Sequence, residues 1–277
     1  MLFGGVSIIS AVAALVWCVC AGGFAGADWL WMLPAVFAGT FLAQAVLIFV
    51  TAWILSEIID TEKEQQEDSK FYRWMIGLLA EAGISILGMR LRTKGLENVP
   101  KDGRFMLVCN HLNNFDPMVL IHCFRSSQLA FISKRENRSL FMVGKLMHRI
   151  LCQPINREND REALKTIIKC INLIKEDKAS IAVFPEGYIR GDDKFHTFRS
   201  GVFKIAQKAK VPVVVCTITN THKVLNNLKH LKRTDIDVHL VAVVRPEEFE
   251  GITTVELGNR IHAMMAEDLG DEYRPEE

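Results

Sequence analysis

"RFMLVCNHLNNFDPMVL", residues 104–120, is the stretch on which the fold turns. It opens with a short apolar run that reads as a strand. It then breaks into the polar Asn110, His111, Asn113, Asn114 and Asp116 before Pro117 leads into a second apolar run. Working outward, "QLAFIS" (128–133), "ASIAVFP" (179–185), "VPVVVCTIT" (211–219) and "DVHLVAVV" (237–244) repeat the strand-like pattern. Segments of helical character lie between them, among them "REALKTIIKCINLIKEDK" (161–178) and "GVFKIAQKAK" (201–210). Strand and helix in turn predict an α/β domain with a mostly parallel sheet flanked by helices. Ligand sites in such sheets lie at the carboxyl ends of strands. "NHLNNFDP", "PEGYIRGDD" and "TNTH" all follow strand-like runs.

Towards the amino terminus the chemistry changes. No charged residue occurs between Met1 and Ala27, and after Asp28 the next is Glu57. Each of these two uncharged stretches is long enough to span about 30 Å of hydrocarbon. They predict a transmembrane helical hairpin over residues 1–60. A signal peptide fits the first stretch less well, because it lacks a basic start and runs into a second apolar segment. The connector "AGADW" carries no Lys or Arg, whereas Lys63, Lys70 and Arg73 follow the second stretch. That asymmetry predicts an integral membrane protein with its large remainder on the cytoplasmic face. Residues 61–92 read as a polar linker, "DTEKEQQEDSK" marking its start, followed by an amphipathic membrane-proximal helix over 71–91. Lying flat on the membrane and packing on the domain core fit that helix equally. Residues 93–277 are then the α/β domain, with the acidic end "AEDLGDEYRPEE" expected to fray.

Of 277 residues, 49% are hydrophobic and 23% charged, and the formal net charge is only +1. The distribution is lopsided: residues 70–244 hold 29 Lys or Arg against 15 Asp or Glu. Such a surplus draws an anionic membrane surface, phosphate groups or an acidic protein. Nucleic acid is excluded as a partner because the surplus is spread along the chain and comes with a membrane anchor. The seven cysteines form no Cys-x-x-Cys pair and lie in apolar surroundings, which predicts reduced core residues and no metal.

His111 and Asp116 are candidates for chemistry. A histidine can take a proton from an attacking hydroxyl if a neighbouring carboxylate fixes its tautomer and stabilises the imidazolium. Asp116 could equally be a cap or turn former before Pro117, and the two roles are compatible. A second candidate lies in "FPEGYIRGDDKFHTFRSG", residues 184–201, where a strand end would present Glu186 with Arg190, Lys194 and Arg199, a set suited to a phosphate ester. An ordinary charged loop is the plainer account of the same charges.

These blocks resemble the glycerolipid acyltransferases of the 1-acylglycerol-3-phosphate acyltransferase type. Asn110, His111 and Asp116 match the family's N-H-x4-D block. "PINR" with Arg157 matches its second block, and Phe184, Pro185, Glu186 and Gly187 followed by "FRSG" match its third. "VPVVV" is similar to the fourth, and "KGLENVP" (94–100) to the lead-in. Tyr188, Ile189 and Arg190 stand where the family usually has Thr-Arg-Ser, and Val215 where it has a second proline. The resemblance implies transfer of a fatty acyl group from acyl-CoA or acyl carrier protein, as co-substrate rather than cofactor, to the free hydroxyl of lysophosphatidate, giving phosphatidate. His111 would be the base and Asp116 its orienter, with no acyl-enzyme. Asn110, Arg157, Phe184, Pro185, Glu186, Gly187, Arg190 and Arg199 would form the substrate site. Lys134 in "SKREN" is a further candidate for holding a phosphate. Another lysophospholipid, a lyso-amino-acid lipid or glycerol 3-phosphate are alternative acceptors. A non-enzymatic membrane protein that binds anionic lipid is the alternative of another class. His196, His222, His230 and His239 lack metal-ligand spacing and read as surface or loop residues.

Overall fold

A computed structural model describes residues 2–20, 29–65 and 67–274. The chain divides into two compact units, Met1–Asp60 and Thr61–Glu277. In the first, helix α1 (Leu2–Cys20) packs on α2 (Trp29–Glu57), and Gln44 Nε2 donates to Ser10 Oγ at 2.9 Å between them. Among the described residues α2 is the one helix long and apolar enough to cross a membrane, and the apolar helix over Gly4–Cys20 is shorter. Of the connector "AGADW", residues 25–29, only Trp29 is among the described residues, as the first residue of α2.

The second unit is built on one seven-stranded sheet. Its strands in chain order are β1 (Met89–Lys94), β2 (Met106–Cys109), β3 (Leu129–Lys134), β4 (Gln153–Ile155), β5 (Ser180–Val183), β6 (Val213–Ile218) and β7 (Thr234–Val244). Across the sheet they lie in the order β1-β7-β6-β2-β5-β3-β4. Every pairing is parallel except β6 with β7. Strands β2, β5 and β6 are buried at every residue, which is why they read as near-continuous apolar runs, with Ser180 and Thr217 the exceptions, rather than as alternating ones.

Helices cover both faces. On one face lie α6 (Asp160–Lys175), α7 (Lys204–Ala209) and α9 (Thr254–Leu269), whose Ile167, Ile171, Ile174, Ile205, Leu257 and Ile261 meet Val108, Ile181 and Val213. On the other lie α3 (Lys70–Ile86), α4 (Asp116–Cys123) and α8 (Val224–Lys229), which meet Leu107, Val214 and Ile236. Each large side chain sealed in these layers, Phe105 and Phe203 among them, contributes about 1.5–3 kcal/mol. The helix α6 starts at Asn159, whose side chain accepts the Glu162 N–H at 3.1 Å, and it buries the face carrying Ile167, Ile171 and Ile174.

Two expectations change, and one strand is additional to those expected. The helix expected over 71–91 ends at Ile86. Gly88, at φ +64°, turns the chain there, and Met89 to Leu91 belong to strand β1. The short edge strand β4 was not foreseen. The acidic end does not fray over the described residues, because a Thr253–Glu256 capping box starts α9 and a 3₁₀ turn, Asp271–Tyr273, follows with Tyr273 buried. Residues 275–277 lie outside the described residues.

Candidate active site

Where β2 ends, Asn110 keeps it tied to β6. Its side chain donates to the Ile218 carbonyl and accepts the Ile218 N–H, both at 2.8 Å, so the two strand ends stay in register past their last backbone pair. The chain then leaves the sheet through a tight turn closed by Asp116. The Asp116 Oδ2 atom accepts the backbone N–H groups of Leu112 at 2.7 Å and Asn113 at 2.8 Å. It also lies 2.8 Å from His111 Nδ1. A carboxylate offers no proton, so Nδ1 carries the hydrogen and Nε2 the lone pair. One carboxylate oxygen thus both closes the turn and holds the His111 ring. Asp116 is the first residue of α4, with Pro117 following, and it is completely buried.

The imidazole is fixed from a second direction by Phe184, at the end of β5. The two rings stack at 4.1 Å between centroids and 16° between planes. Beyond Phe184 the chain turns through Pro185, Glu186 and Gly187, with the Gly187 N–H donating to the Phe184 carbonyl at 3.1 Å and the Arg199 N–H to the Pro185 carbonyl at 2.8 Å. Gly187 sits at φ +90°, which favours glycine, and a Cβ there would lie 3.1 Å from Arg199 Nε.

Glu186 ties these pieces together. Its Oε1 accepts the His111 N–H at 2.8 Å and its Oε2 the His196 N–H at 2.9 Å. Burial pushes its carboxyl up to about 7, the charges of Asp116 and Asp192 act in the same direction, and the two N–H groups oppose them. Both oxygens are engaged by the backbone, so Glu186 fastens the β5 loop to the His111 turn.

Next to Phe184 opens a cavity of about 510 Å³. Ile132, Ile155 and Ile167 form apolar wall, while Arg157, Arg199 and Lys204 bring three cations to it and Asp160 one carboxylate, together with Pro185 and Gly187. Burial and the neighbouring Arg199 hold the Arg157 guanidinium below its ordinary range. His111 is not part of this wall; its stacking partner Phe184 is. Two guanidinium groups against an apolar surface can hold a phosphate monoester and the start of an acyl chain.

Of the residues singled out from the sequence, Asn110, His111, Asp116, Phe184 and Glu186 form one connected cluster. Arg157, Phe184, Pro185, Gly187 and Arg199 line the cavity. Lys134 and Arg190 are not brought in. Lys134 is exposed at the end of β3, 3.5 Å from Glu136, and the Arg190 guanidinium lies over the Tyr188 ring at 5.0 Å. His196 and His222 prove more integrated than surface loops. His196 caps Glu186 through its backbone and bonds Asp192 at 2.9 Å through Nε2. His222 has a buried Nδ1 and meets the edge of Tyr273 at 6.3 Å. The carboxy-terminal segment also supports the site: the Tyr273 hydroxyl accepts the Asn220 N–H at 3.2 Å, and its carbonyl accepts the Phe195 N–H at 2.7 Å.

Residues 90–219 match the Acyltransferase family model. A probable 1-acyl-sn-glycerol-3-phosphate acyltransferase of Mycoplasma pneumoniae is 31% identical over 156 residues, an alignment covering 55% of this chain and 58% of that protein. The correspondingly named protein of Mycoplasma genitalium is 27% identical over 247 residues, 85% of this chain and 89% of its own length. The crystal structure of the 1-acyl-sn-glycerophosphate acyltransferase PlsC from Thermotoga maritima shares the fold, with a TM-score of 0.62 at 21% identity over 86% of this chain and 94% of that one. The matched segment begins within β1 and ends just past β6, so the part of the chain that is similar to the Acyltransferase family takes in the His111 turn, Arg157 and the Glu186 loop.

Proposed function

We propose that this protein transfers a fatty acyl group from an acyl thioester to the free hydroxyl of lysophosphatidate, giving phosphatidate. The observation that carries the reading is His111. Its Nδ1 is held by buried Asp116, its ring is clamped on Phe184, and its Nε2 has no hydrogen-bond partner among the described residues.

The lone pair on Nε2 takes the proton of the acceptor hydroxyl as that oxygen attacks the thioester carbonyl. A carbon–oxygen bond forms and the tetrahedral adduct collapses with breakage of the carbon–sulfur bond. The departing thiolate takes the proton back from the imidazolium, so His111 ends as it began. Asp116 stabilises the transient positive charge on the ring. Arg157 and Arg199 hold the acceptor's phosphate in this scheme, and the apolar cavity wall receives the chain beside it.

An acyl-enzyme route has little to recommend it. The cysteine nearest His111 in sequence, Cys109, is fully buried within β2, and burial pushes its thiol well up. The donor is acyl-CoA or acyl carrier protein, both anionic partners for the basic residues 70–244. Lys63, Lys70 and Arg73 after α2 favour the cytoplasmic side for the second unit.

The test is an acceptor and donor panel with the purified full-length protein, read by mass spectrometry of the lipids. Phosphatidate made from lysophosphatidate with at least one of the two donors is expected. Refusal of lysophosphatidate alongside acylation of another acceptor would reject the headgroup, and no acylation of any acceptor would reject the activity.

A further inference from the structure

Between β3 and α5 (Val143–Arg149) the chain reads "KRENRSLFMVGK", residues 134–145. Four cations stand in it against the single carboxylate of Glu136, and they flank four consecutive apolar residues. Those residues are not tucked away: Leu140 is 50% exposed, Phe141 61% and Val143 46%. Scattered single apolar residues on a surface are ordinary, whereas a run of them on one turn with a basic rim is not.

The turn is built to hold them outward. The Leu140 N–H donates to the Asn137 carbonyl at 3.2 Å, and the Gly144 N–H returns to the Leu140 carbonyl at 3.0 Å. Met142 is held at φ +56°, an uncommon conformation for a residue with a long side chain. Gly144 is packed so closely that a Cβ would lie 2.2 Å from the Arg138 carbonyl oxygen. Behind it Leu146 and Ile150 are buried. The tip therefore has a fixed shape, and Leu140 and Val143 keep their exposure without loosening the core.

Its surroundings suggest what meets it. An anionic bilayer offers both an apolar interior for the tip and phosphates for Arg135 and Arg138, which are exposed beside it. The same chain carries α2, long and apolar enough to cross a bilayer. The tip also leaves the carboxyl end of β3, the end of the sheet at which β5 presents Phe184 and β4 leads to Arg157.

We propose that the Leu140–Val143 turn dips into the interfacial layer of an anionic membrane, with its apolar side chains among the acyl chains and the flanking arginines at the phosphates. Seated there, the turn sets the phosphate-holding cavity against the lipid surface. This last consequence rests on the acyl-transfer reading, whereas the dipping itself does not.

The test uses the full-length protein in vesicles of phosphatidylglycerol and phosphatidylcholine, with Leu140→Trp as the probe and the parent protein subtracted. Bromines on the acyl chains are expected to quench most of the added emission, at a depth of about 5–10 Å. Acrylamide in the water is expected to leave it nearly untouched. Quenching of the added emission by acrylamide instead would overturn the proposal. So would protection from both quenchers, which would seat the turn against protein, either a second copy or another part of this chain. As a second arm, Leu140→Glu is expected to slow transfer to bilayer-embedded lysophosphatidate severalfold and to leave transfer to a short-chain, water-soluble acceptor unchanged. Equal slowing of both would overturn the membrane role. A parent protein inactive on both would refute the acyl-transfer reading alone, with the quenching result still deciding the tip.

Discussion

The backbone N–H of His111 donates to Glu186 Oε1 at 2.8 Å, so the residue that carries the imidazole is fastened to a loop 75 positions further along the chain. The proposed base is thereby held from three sides: Asp116 at Nδ1, Phe184 at the ring face and Glu186 at the main chain. Each of these contacts can be broken separately.

Asp116→Asn keeps the side chain's size but removes the charge that balances an imidazolium, and it presents an amide to a site that receives three donors at one oxygen. Turnover is expected to fall by about 10²–10⁴-fold. The KM for the acceptor should change little, because Asp116 does not line the cavity. Steady-state kinetics beside a thermal melt separate this from simple unfolding.

Glu186 makes stability depend on pH in a stated direction. Its folded-state value of about 7 lies above the ordinary 4.5, so the folded protein binds the proton more tightly than the unfolded chain does. Its favourable contribution is complete below about pH 4.5 and is lost as pH rises to about 7, an effect of about 3 kcal/mol in order of magnitude. Glu186→Gln is expected to flatten the stability profile across that window. It also costs one acceptor for a backbone N–H, which lowers stability by about 1–3 kcal/mol at low pH. Denaturation of the detergent-solubilised protein at pH 5 and pH 8 checks both parts.

Gly187→Ala places a methyl group 3.1 Å from Arg199 Nε on a backbone at φ +90°. Arg199 must shift, and the turn itself is strained by about 1 kcal/mol or more. The KM for lysophosphatidate is expected to rise severalfold while turnover changes less. An unaltered KM would show that Arg199 does not hold the acceptor.

Arg157→Lys and Arg199→Lys retain charge but lose the two-pronged guanidinium geometry suited to a phosphate. Each is expected to weaken acceptor binding by about tenfold, and Arg157→Ala by more. Comparison of lysophosphatidate with an uncharged monoacylglycerol as acceptor isolates the phosphate contribution, since the variants should lose their disadvantage with the latter.

Much of this arrangement was legible in the sequence, and the exceptions have physical reasons. The apolar runs of β2, β5 and β6 announced themselves because those strands are buried on both faces, and the polar residues that interrupt each run mark its carboxyl end. The first three residues of β1, Met89 to Leu91, fall inside the stretch expected to be helical because the apolar residues of α3 run on to them with Gly88 as the one sign of a turn. Strand β4 is three residues long and contains Pro154, which leaves no periodicity to detect. The carboxy-terminal helix was concealed by its acidity, although Thr253 and Glu256 spell a capping box. His111, Asp116 and Glu186 were found through side-chain chemistry. The contribution of His196 to Glu186 was not, because it is made by the backbone N–H and any non-proline residue could make it. Lys134 and Arg190 show the converse: a suitable charge beside a strand end does not reveal where its side chain goes.

His111→Ala gives the most direct measurement. It removes the proposed base while leaving the backbone N–H that Glu186 accepts. With a circular dichroism spectrum and vesicle association matching the parent, phosphatidate formation from an acyl thioester and lysophosphatidate is expected to fall by at least about 10²-fold. A folded, membrane-bound His111→Ala protein that turns over within a few-fold of the parent would contradict the assignment of His111 as the base.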